Sequence, residues 1–378
     1  MIRDQESFDA MVDQIRIFVR DVAIPNENRV EAEDSIPDEV IEKLKQLGSF
    51  GWSIPEEYGG AGMTSEELAI AFMEFTQCSV AYRVYGGQNA GVGSESIIRD
   101  GTPEQKQKYL PKLASGEMIG CLALTEESAG SDATAIKTRA KKVDNGYRIK
   151  GSKCYISLAP VADLFTVFAR TEGERGGKGV TAFLIERGTE GLSTSPPTRK
   201  MGQEGAPIGE VYLDDVFVPE DAVLGSEGAG FKTVMKALNK QRINLSALST
   251  GPAIRMLNDA VAYAKERRQF DRAIGEFQLV QAMLAESKVE IEAARALILE
   301  TARKRDRGED VTMDVSLCKY FSTEMCGRVA DRAVQIFGGA GYVKGTGIER
   351  FYRDVRTFRI YEGTSQIHLL SIAKNLLK

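Results

Sequence analysis

The sequence predicts an α+β protein of several domains, in which a helical segment is followed by a β segment and then by a second helical segment. Apolar residues recur at helical spacing before about residue 120 and after about residue 229. Between them lie short apolar or alternating runs that are separated by turns. A chain of 378 residues is long enough for two or three domains. We therefore expect domains at residues 1–120, 121–228 and 229–378.

The first segment shows helical stripes interrupted by turns. One stripe repeats every three or four positions: Phe8, Met11, Ile15 and Phe18. A second begins at Val40, Ile41 and Leu44, and the proline and glycines between positions 55 and 60 mark a turn. These features predict an N-terminal helical domain.

The middle segment changes to the pattern of short strands. Four runs carry it: residues 119–125, 164–169, 180–185 and 211–218. The triplet Asp144-Asn145-Gly146 lies between two further runs and is a strong signal for a hairpin turn.

The third segment is helical to its end. The last helix is predicted over residues 367–378 from an apolar face that is formed by Leu369, Leu370, Ala373, Leu376 and Leu377. Thr364 and Ser365 are good caps for this helix. Glu362 therefore lies on a short turn just before a helix, where a carboxylate can be directed into a cleft.

Composition excludes several classes of function. Hydrophobic residues make up 43% of the chain and charged residues 27%, as in soluble globular proteins. The net charge of −5 argues against a nucleic-acid partner, and we expect neither a secretion signal nor a membrane span. The five cysteines show no metal-binding or redox spacing, which favours reduced thiols in a cytoplasmic protein.

The chain contains a single histidine, His368. This excludes Ser-His and Cys-His triads and zinc sites with several histidines. We expect His368 itself to be a partly exposed helix residue. Acid–base chemistry would then depend on carboxylates, and redox chemistry would need a cofactor.

Three further segments could bind a ligand, although each has a simpler explanation when taken alone. The loop 125–132 is rich in small and hydroxyl residues that can bind carbonyl or phosphate oxygens, or it is an ordinary turn. The glycines after Gln335 allow close approach of a ligand, or they end a helix. Arg267 and Phe270 could hold a pyrophosphate and an adenine, or be exposed residues at a helix end.

Taken together and in this order, these segments resemble the acyl-CoA dehydrogenase family over nearly the whole chain. The resemblance rests on residues 47–60, 123–132, 151–157, 338–339 and 350–354, and on the segment 361–366 (Tyr-Glu-Gly-Thr-Ser-Gln). Glu127-Ser128 depart from the Pro-Gly that is usual in the middle loop. The resemblance implies an N-terminal helical domain, a middle β-barrel or sandwich domain and a C-terminal four-helix bundle, assembled as a homotetramer.

The resemblance also implies FAD as the cofactor, bound between the middle and C-terminal domains. Within one subunit the flavin and pyrophosphate contacts would be Leu124, Thr125, Ser131, Tyr155, Ser157, Thr364 and Gln366. The adenine half would be held by residues of the neighbouring subunit: Arg267, Phe270, Gln278, Gln335, Gly338 and Gly339. Electron-transfer flavoprotein would be the electron acceptor.

The implied reaction is α,β-dehydrogenation of an acyl-CoA thioester, with Glu362 removing the α-proton. The family's alternative base position falls on Gln241, which cannot act as a carboxylate base. Asn239 and Arg242 would face the thioester and pantetheine region. Three other residues would also border the substrate: Ser131, Tyr361 and Gly363.

Several alternatives remain open at the level of sequence. The same residues could serve an enoyl-CoA reductase or an acyl-CoA oxidase, and a non-catalytic member that binds flavin or acyl-CoA is also conceivable. The small residues at 85–93 would either leave room for a medium, branched or cyclic acyl group or allow tight helix packing.

Overall fold

The computed structural model describes residues 1–171 and 176–378, and its elements follow the predicted order of helices, strands and helices. The N-terminal helices are α1 (Gln5–Phe18), α2 (Ile24–Glu33), α3 (Asp38–Gln46), α4 (Ser65–Phe75), α5 (Val80–Gln88), α6 (Glu95–Asp100) and α7 (Pro103–Ser115). Local signals set where they begin: Asp4 caps α1, and Thr64 and Thr102 form capping boxes at α4 and α7. Trp52 packs edge-on against Phe72 and Phe75 in the core beneath them.

The middle part forms a single mixed sheet. Its strands are β1 (Gly120–Ala123), β2 (Arg139–Val143), β3 (Gly146–Ser157), β4 (Leu164–Thr171), β5 (Val180–Glu186), β6 (Leu192–Thr194), β7 (Ile208–Pro219) and β8 (Val223–Leu224). The strand order is β6-β7-β3-β2-β4-β5-β8, and β1 pairs in parallel with β4. Val143 pairs with Gly146, so β2 and β3 form the predicted hairpin, with Asn145 in the left-handed conformation at φ +63°.

The C-terminal part is helical. It contains α8 (Gly230–Glu266), a short ribbon of β9 (Arg268–Gln269) and β10 (Arg272–Ala273), α9 (Gln278–Asp306), α10 (Asp314–Phe337), α11 (Gly339–Tyr342), α12 (Ile348–Val355) and α13 (Ser365–Leu376). The 37 residues of α8 span about 55 Å, and this helix packs against α4, α9 and α10. It is therefore the element around which the helical parts are organised.

Ion pairs connect all three parts of the chain. Arg353 of α12 pairs with Glu31 of α2 and with Glu204, which follows β6, while Arg350 pairs with Glu27 at 2.7 Å. Arg350 and Glu27 are both buried, so this connection is shielded from water.

The predicted fold class is confirmed, and the last helix spans Ser365–Leu376 where residues 367–378 were predicted. Thr364 is its N-cap, with the hydroxyl accepting a hydrogen bond from the backbone N–H of Ile367. The apolar face of this helix is exposed at Leu370, Leu376 and Leu377. A helical stripe predicts that a face will be covered, and here the residues described in this one chain do not cover it. Within those residues, no helix is long and apolar enough to cross a membrane.

Candidate active site

The turn that carries Glu362 has a strained backbone. Glu362 has φ +56° and Gly363 has φ +97°, so two consecutive residues are in the left-handed region. For a residue other than glycine this conformation costs about 1–2 kcal/mol, and it persists only where neighbouring groups hold it. The strain marks the turn as a functional candidate.

Two fully buried side chains hold the turn. Lys319 of α10 donates from Nζ to the carbonyl oxygen of Gly363 at 2.5 Å. His368 of α13 donates from Nε2 to the carbonyl oxygen of Glu362 at 3.2 Å. A Cβ atom at Gly363 would lie only 2.9 Å from Nε2 of His368, so glycine is required there. The backbone on both sides of the Glu362 side chain is thus fixed.

The carboxylate of Glu362 is desolvated. Its Oε2 atom is buried and has no hydrogen-bond partner among residues 1–171 and 176–378. Burial raises the pKa of Glu362, whereas the positive charges of Arg83, Arg242 and Lys319 act to lower that pKa. A carboxylate in such a setting is a stronger base than one in water.

Burial also alters the basic groups around the turn. It lowers the pKa of Lys319 to about 8, although the charge of Glu362 acts in the opposite direction. It lowers the pKa of His368 to about 3, with smaller contributions from Arg242 and Lys319, so this histidine is neutral at pH 7. The expectation of a partly exposed His368 was wrong, because its side chain packs beneath the Glu362 turn with none of its surface exposed.

Asn239, Gln241 and Arg242 lie on α8, and Arg242 interacts electrostatically with Glu362 in the turn. Arg242 donates to Oδ1 of Asn239 at 2.9 Å, and both side chains are half-buried. The Nε atom of Arg242 is buried without a partner in the described chain, so this arginine is not an ordinary residue of the helix surface. Gln241 is buried and accepts a hydrogen bond from Asn244 at 2.8 Å.

The small residues at 85–93 do not leave empty space. A Cβ atom at Gly91 would lie 1.9 Å from Nε2 of Gln241, and one at Gly86 would lie 2.6 Å from Oγ of Ser49. Neighbouring side chains therefore already occupy the space that a side chain at either glycine position would need. Of the two explanations for this stretch, tight packing is the correct one.

The loop after β1 is anchored to β3. The backbone N–H of Cys154 donates to the carbonyl of Thr125 at 2.9 Å. The buried Lys153 donates to the carbonyl of Leu124 at 3.1 Å and to Glu126 at 2.8 Å. The carboxylate of Glu126 also accepts hydrogen bonds from two backbone N–H groups, at positions 137 and 138. The loop that contains Thr125 is thus fixed by a buried ion pair.

The surface beside this loop suits a planar ligand such as the flavin that the resemblance implies. Tyr155 of β3 has φ +57° and its side chain is 72% exposed, which is unusual for an aromatic residue within a sheet. Ser131 is exposed, and Ser157, which follows Tyr155 in β3, is half-buried. An exposed ring held by a strained backbone is a platform against which an isoalloxazine can pack.

The residues predicted to hold the adenine half lie at the far end of the helical bundle. All six are partly or fully exposed: Arg267, Phe270, Gln278, Gln335, Gly338 and Gly339. Tyr263 stacks on Phe337 with ring centroids 4.1 Å apart, which brings the ends of α8 and α10 together. Along α8 this end is about 37 Å from Arg242. The predicted residues therefore form separate groups within one chain.

Sequence reasoning missed three residues of the site, namely Arg83, Lys319 and the buried His368. Arg83 and Lys319 each interrupt an apolar stretch of a helix, and this interruption was the available signal. Of the other predicted residues, Tyr361 is half-buried beside Glu362, and Gln366 is exposed in the first turn of α13.

Comparisons with known proteins agree over the whole chain. Three family models match: acyl-CoA dehydrogenase N-terminal domain at residues 5–117, middle domain at 121–216 and C-terminal domain at 228–377. The 3-(aryl)acrylate reductase of Clostridium sporogenes is 39% identical, covering 96% of this chain and 98% of its own. The caffeyl-CoA reductase-Etf complex subunit CarC of Acetobacterium woodii is 36% identical over 93% of each chain. The structure of butyryl-CoA dehydrogenase from Megasphaera elsdenii is 33% identical and superimposes with a TM-score of 0.95 over 100% of both chains.

Proposed function

Because the chain belongs to the acyl-CoA dehydrogenase family of FAD-dependent oxidoreductases, we propose that it catalyses α,β-dehydrogenation of an acyl-CoA thioester with Glu362 as the base. The product would be a trans-2-enoyl-CoA. The observation that carries this proposal is the buried carboxylate of Glu362, which has an oxygen free to accept a proton.

The chemistry of the substrate explains why such a carboxylate is needed. The α-hydrogens of a thioester are weakly acidic, and a solvated carboxylate removes them inefficiently. Burial strengthens Glu362 as a base, and an acyl chain entering the site would expel further water. The nearby cations Arg83, Arg242 and Lys319 counteract part of this rise in the pKa of Glu362 and favour its carboxylate form.

Charge that develops on the thioester oxygen also needs stabilisation. We assign the backbone N–H of Glu362 as one donor to that oxygen, and the fixed turn would keep it in place. Asn239 and Arg242 would contact the pantetheine side of the thioester, while Ser131, Tyr361 and Gly363 would border the substrate. Bound FAD supplies the acceptor for the hydride that leaves the β-carbon.

We propose that the flavin site is shared between subunits of a homotetramer. Leu124, Thr125, Ser131, Tyr155, Ser157, Thr364 and Gln366 would contact FAD in one subunit, and the six residues at the far end of the bundle would contact FAD of the next. The separation of about 37 Å along α8 supports this division. The exposed apolar residues Phe270 and Leu279 support burial of that end in an assembly. Electron-transfer flavoprotein is the proposed electron acceptor.

Reduction of an enoyl-CoA is the second candidate function. It is favoured by the two curated relatives that are named as reductases. In that direction Glu362 would deliver a proton to the α-carbon instead of removing one. Bleaching of the oxidised flavin by a saturated acyl-CoA supports dehydrogenation. If saturated acyl-CoAs do not bleach the flavin and enoyl-CoA rapidly reoxidises the reduced enzyme, the result supports reduction.

Replacement of the base tests the proposal directly. Glu362→Gln should retain FAD and lower the rate of flavin reduction by anaerobic acyl-CoA about 10²- to 10⁴-fold, the range expected for removal of a general base. Glu309→Gln is the matched control, because Glu309 is an exposed carboxylate in the same part of the chain. Near-normal flavin reduction in Glu362→Gln would exclude Glu362 as the base.

A further inference from the structure

Glu324 of α10 is joined to both ends of the segment that carries Glu362. Its Oε2 atom accepts a hydrogen bond at 3.1 Å from Arg359, which precedes the turn. Its Oε1 atom accepts a hydrogen bond at 2.5 Å from the hydroxyl of Ser365, which follows the turn. A single carboxylate therefore spans the turn and ties the chain before and after Glu362 to the same helix.

The two partners of Glu324 are held where they can reach it. Ser365 is the first residue of α13 and is buried, so its hydroxyl needs an acceptor within the protein. Gly327 also lies on α10, and a Cβ atom there would be 3.3 Å from Cζ of Arg359. The absence of a side chain at Gly327 thus lets the guanidinium lie against α10. Within the described chain, Glu324 is the sole carboxylate that pairs with Arg359.

The same helix also holds the centre of the turn. Lys319 of α10 donates to the carbonyl oxygen of Gly363, so α10 contacts the segment at positions 359, 363 and 365. Glu362 and Gly363 lie in the left-handed region, and this conformation persists only where neighbouring groups hold it. The contacts from Glu324 lie on both sides of these residues, where they oppose relaxation of the turn.

Another carboxylate of the helical bundle shows what is unusual about Glu324. Glu290 of α9 accepts hydrogen bonds from Arg328 and Arg332 of α10 at 2.9 and 3.0 Å. That carboxylate joins two helices side by side. Glu324 instead joins two positions of one chain segment to its own helix, and Glu362 lies between those positions.

We propose that Glu324 is a positioning residue for the reaction. By holding the chain on both sides of the turn, it aims the carboxylate of Glu362 at the α-carbon of the acyl thioester. The proton still passes from the α-carbon to Glu362, and Glu324 acts only through its two partners. Misplacement of a reacting group by about 1 Å can lower a rate about 10²-fold, so the aim of the base matters. This inference rests on the proposed function, since it identifies a residue that positions the proposed base.

Glu324→Ala tests the proposal, because it removes both contacts at once. The rate constant for flavin reduction at saturating acyl-CoA, measured anaerobically by stopped flow, should fall about 10- to 100-fold. The Kd for a trans-2-enoyl-CoA, measured from the perturbed flavin spectrum, should stay within about threefold of the wild-type value. A merely structural role would weaken ligand binding and lower the flavin content together with the rate constant. That joint loss, or an unchanged rate constant, would overturn the inference.

Variants of the two partners divide the effect. Arg359→Met and Ser365→Ala each remove one contact, and each should lower the rate constant about 3- to 10-fold, as expected for one hydrogen bond. Glu324→Gln keeps an oxygen that can accept from Ser365, so it should retain part of the lost rate. The double variant Glu324→Ala/Arg359→Met should be no slower than Glu324→Ala, because residues that act as one unit are not additive. Should Glu324→Ala fail to fold, a wild-type rate constant in both partner variants would overturn the inference.

Glu290→Ala is the matched control. The side chain of Glu290 is 23% exposed and that of Glu324 is 22% exposed, and both form ion pairs with arginines of the C-terminal helical part. Glu290→Ala should leave the rate constant unchanged. A fall equal to that in Glu324→Ala would overturn the inference, because the loss of any ion pair in this part of the chain would then have the same effect.

Failure of the proposed function gives a different result, namely no flavin reduction in the wild type or a wild-type rate in Glu362→Gln. In that case amide hydrogen exchange of residues 359–368, followed by mass spectrometry, still tests the contacts of Glu324. Exchange about tenfold faster in Glu324→Ala than in the wild type would support a hold on this turn. Equal exchange in the two proteins would overturn it.

Discussion

Replacing Lys319 by methionine should separate the stability of this protein from its activity. The ammonium group is fully buried, donates to the carbonyl of Gly363, and faces Glu362, Arg242 and Glu324. Methionine has a similar length and no charge, so Lys319→Met removes the hydrogen bond and the buried cation but keeps most of the packing.

The sign of the stability change follows from the lowered pKa of Lys319. Its folded value of about 8 lies below the ordinary value of 10.5, so the unfolded chain binds more protons between these two pH values. Stability therefore rises with pH through this window, and the penalty for burying the cation is fully present below about pH 8. The shift corresponds to about 3 kcal/mol.

The lost hydrogen bond acts in the other direction. A hydrogen bond from a charged group contributes about 1.5–3 kcal/mol at any pH at which the group is charged. At about pH 6.5 the two effects nearly cancel, so we expect Lys319→Met to be as stable as the wild type or up to about 1.5 kcal/mol more stable. At about pH 10 most of the burial penalty is absent. The stability of the variant relative to the wild type should therefore be about 2 kcal/mol lower at pH 10 than at pH 6.5.

Thermal unfolding followed by circular dichroism measures this difference. For a chain of this size, about 2 kcal/mol corresponds to a shift in Tm of about 2–3 °C. Lys232→Met is the control, because it removes an exposed lysine from α8. Flavin reduction by acyl-CoA should fall about 10- to 100-fold in Lys319→Met, since the turn that aims Glu362 loses one of its two anchors. Equal destabilisation at both pH values, or wild-type flavin reduction, would refute this account of Lys319.

Two further predictions concern the other buried groups that support the site. Burial lowers the pKa of His368 to about 3, so the unfolded chain binds more protons between about pH 3 and 6.5 and stability is lost as pH falls through this window. His368→Gln can still donate to Glu362, and it should make the fall in Tm between about pH 6.5 and 4 shallower; an unchanged slope would contradict the assignment. Glu126→Gln leaves the buried Lys153 without a counter-charge, which should cost about 3–5 kcal/mol of stability. It should also lower the FAD content measured by absorbance, because Lys153 would no longer hold the carbonyl of Leu124; full flavin occupancy would count against this role.

Features set by neighbouring residues were predictable from the sequence. The hairpin at Asp144–Gly146 and the N-cap at Thr364 each depend on a few consecutive side chains, and both predictions are confirmed. The four predicted apolar runs correspond to β1, β4, β5 and β7. Local hydrogen bonding and side-chain alternation carry enough information to fix such elements.

Features that depend on distant residues were not predictable in the same way. Arg83, Lys319 and Glu362 meet although they are far apart in the chain, and no spacing rule connects them. Periodicity placed His368 on a helix but could not show that its side chain faces another part of the chain. The roles assigned to the flavin- and substrate-binding residues remain predictions, because they depend on ligands and on neighbouring subunits.

The ion pairs that join α2, the segment after β6 and α12 also affect how the protein folds during synthesis and how it responds to truncation. Arg353 follows Glu31 and Glu204 in the chain, so these two carboxylates are synthesised before Arg353 and cannot pair with it until α12 has formed. The first two-thirds of a nascent chain then exposes carboxylates and apolar surfaces that only the final segment covers. Loss of the last few dozen residues would accordingly affect the folding of the entire polypeptide as well as the base at position 362.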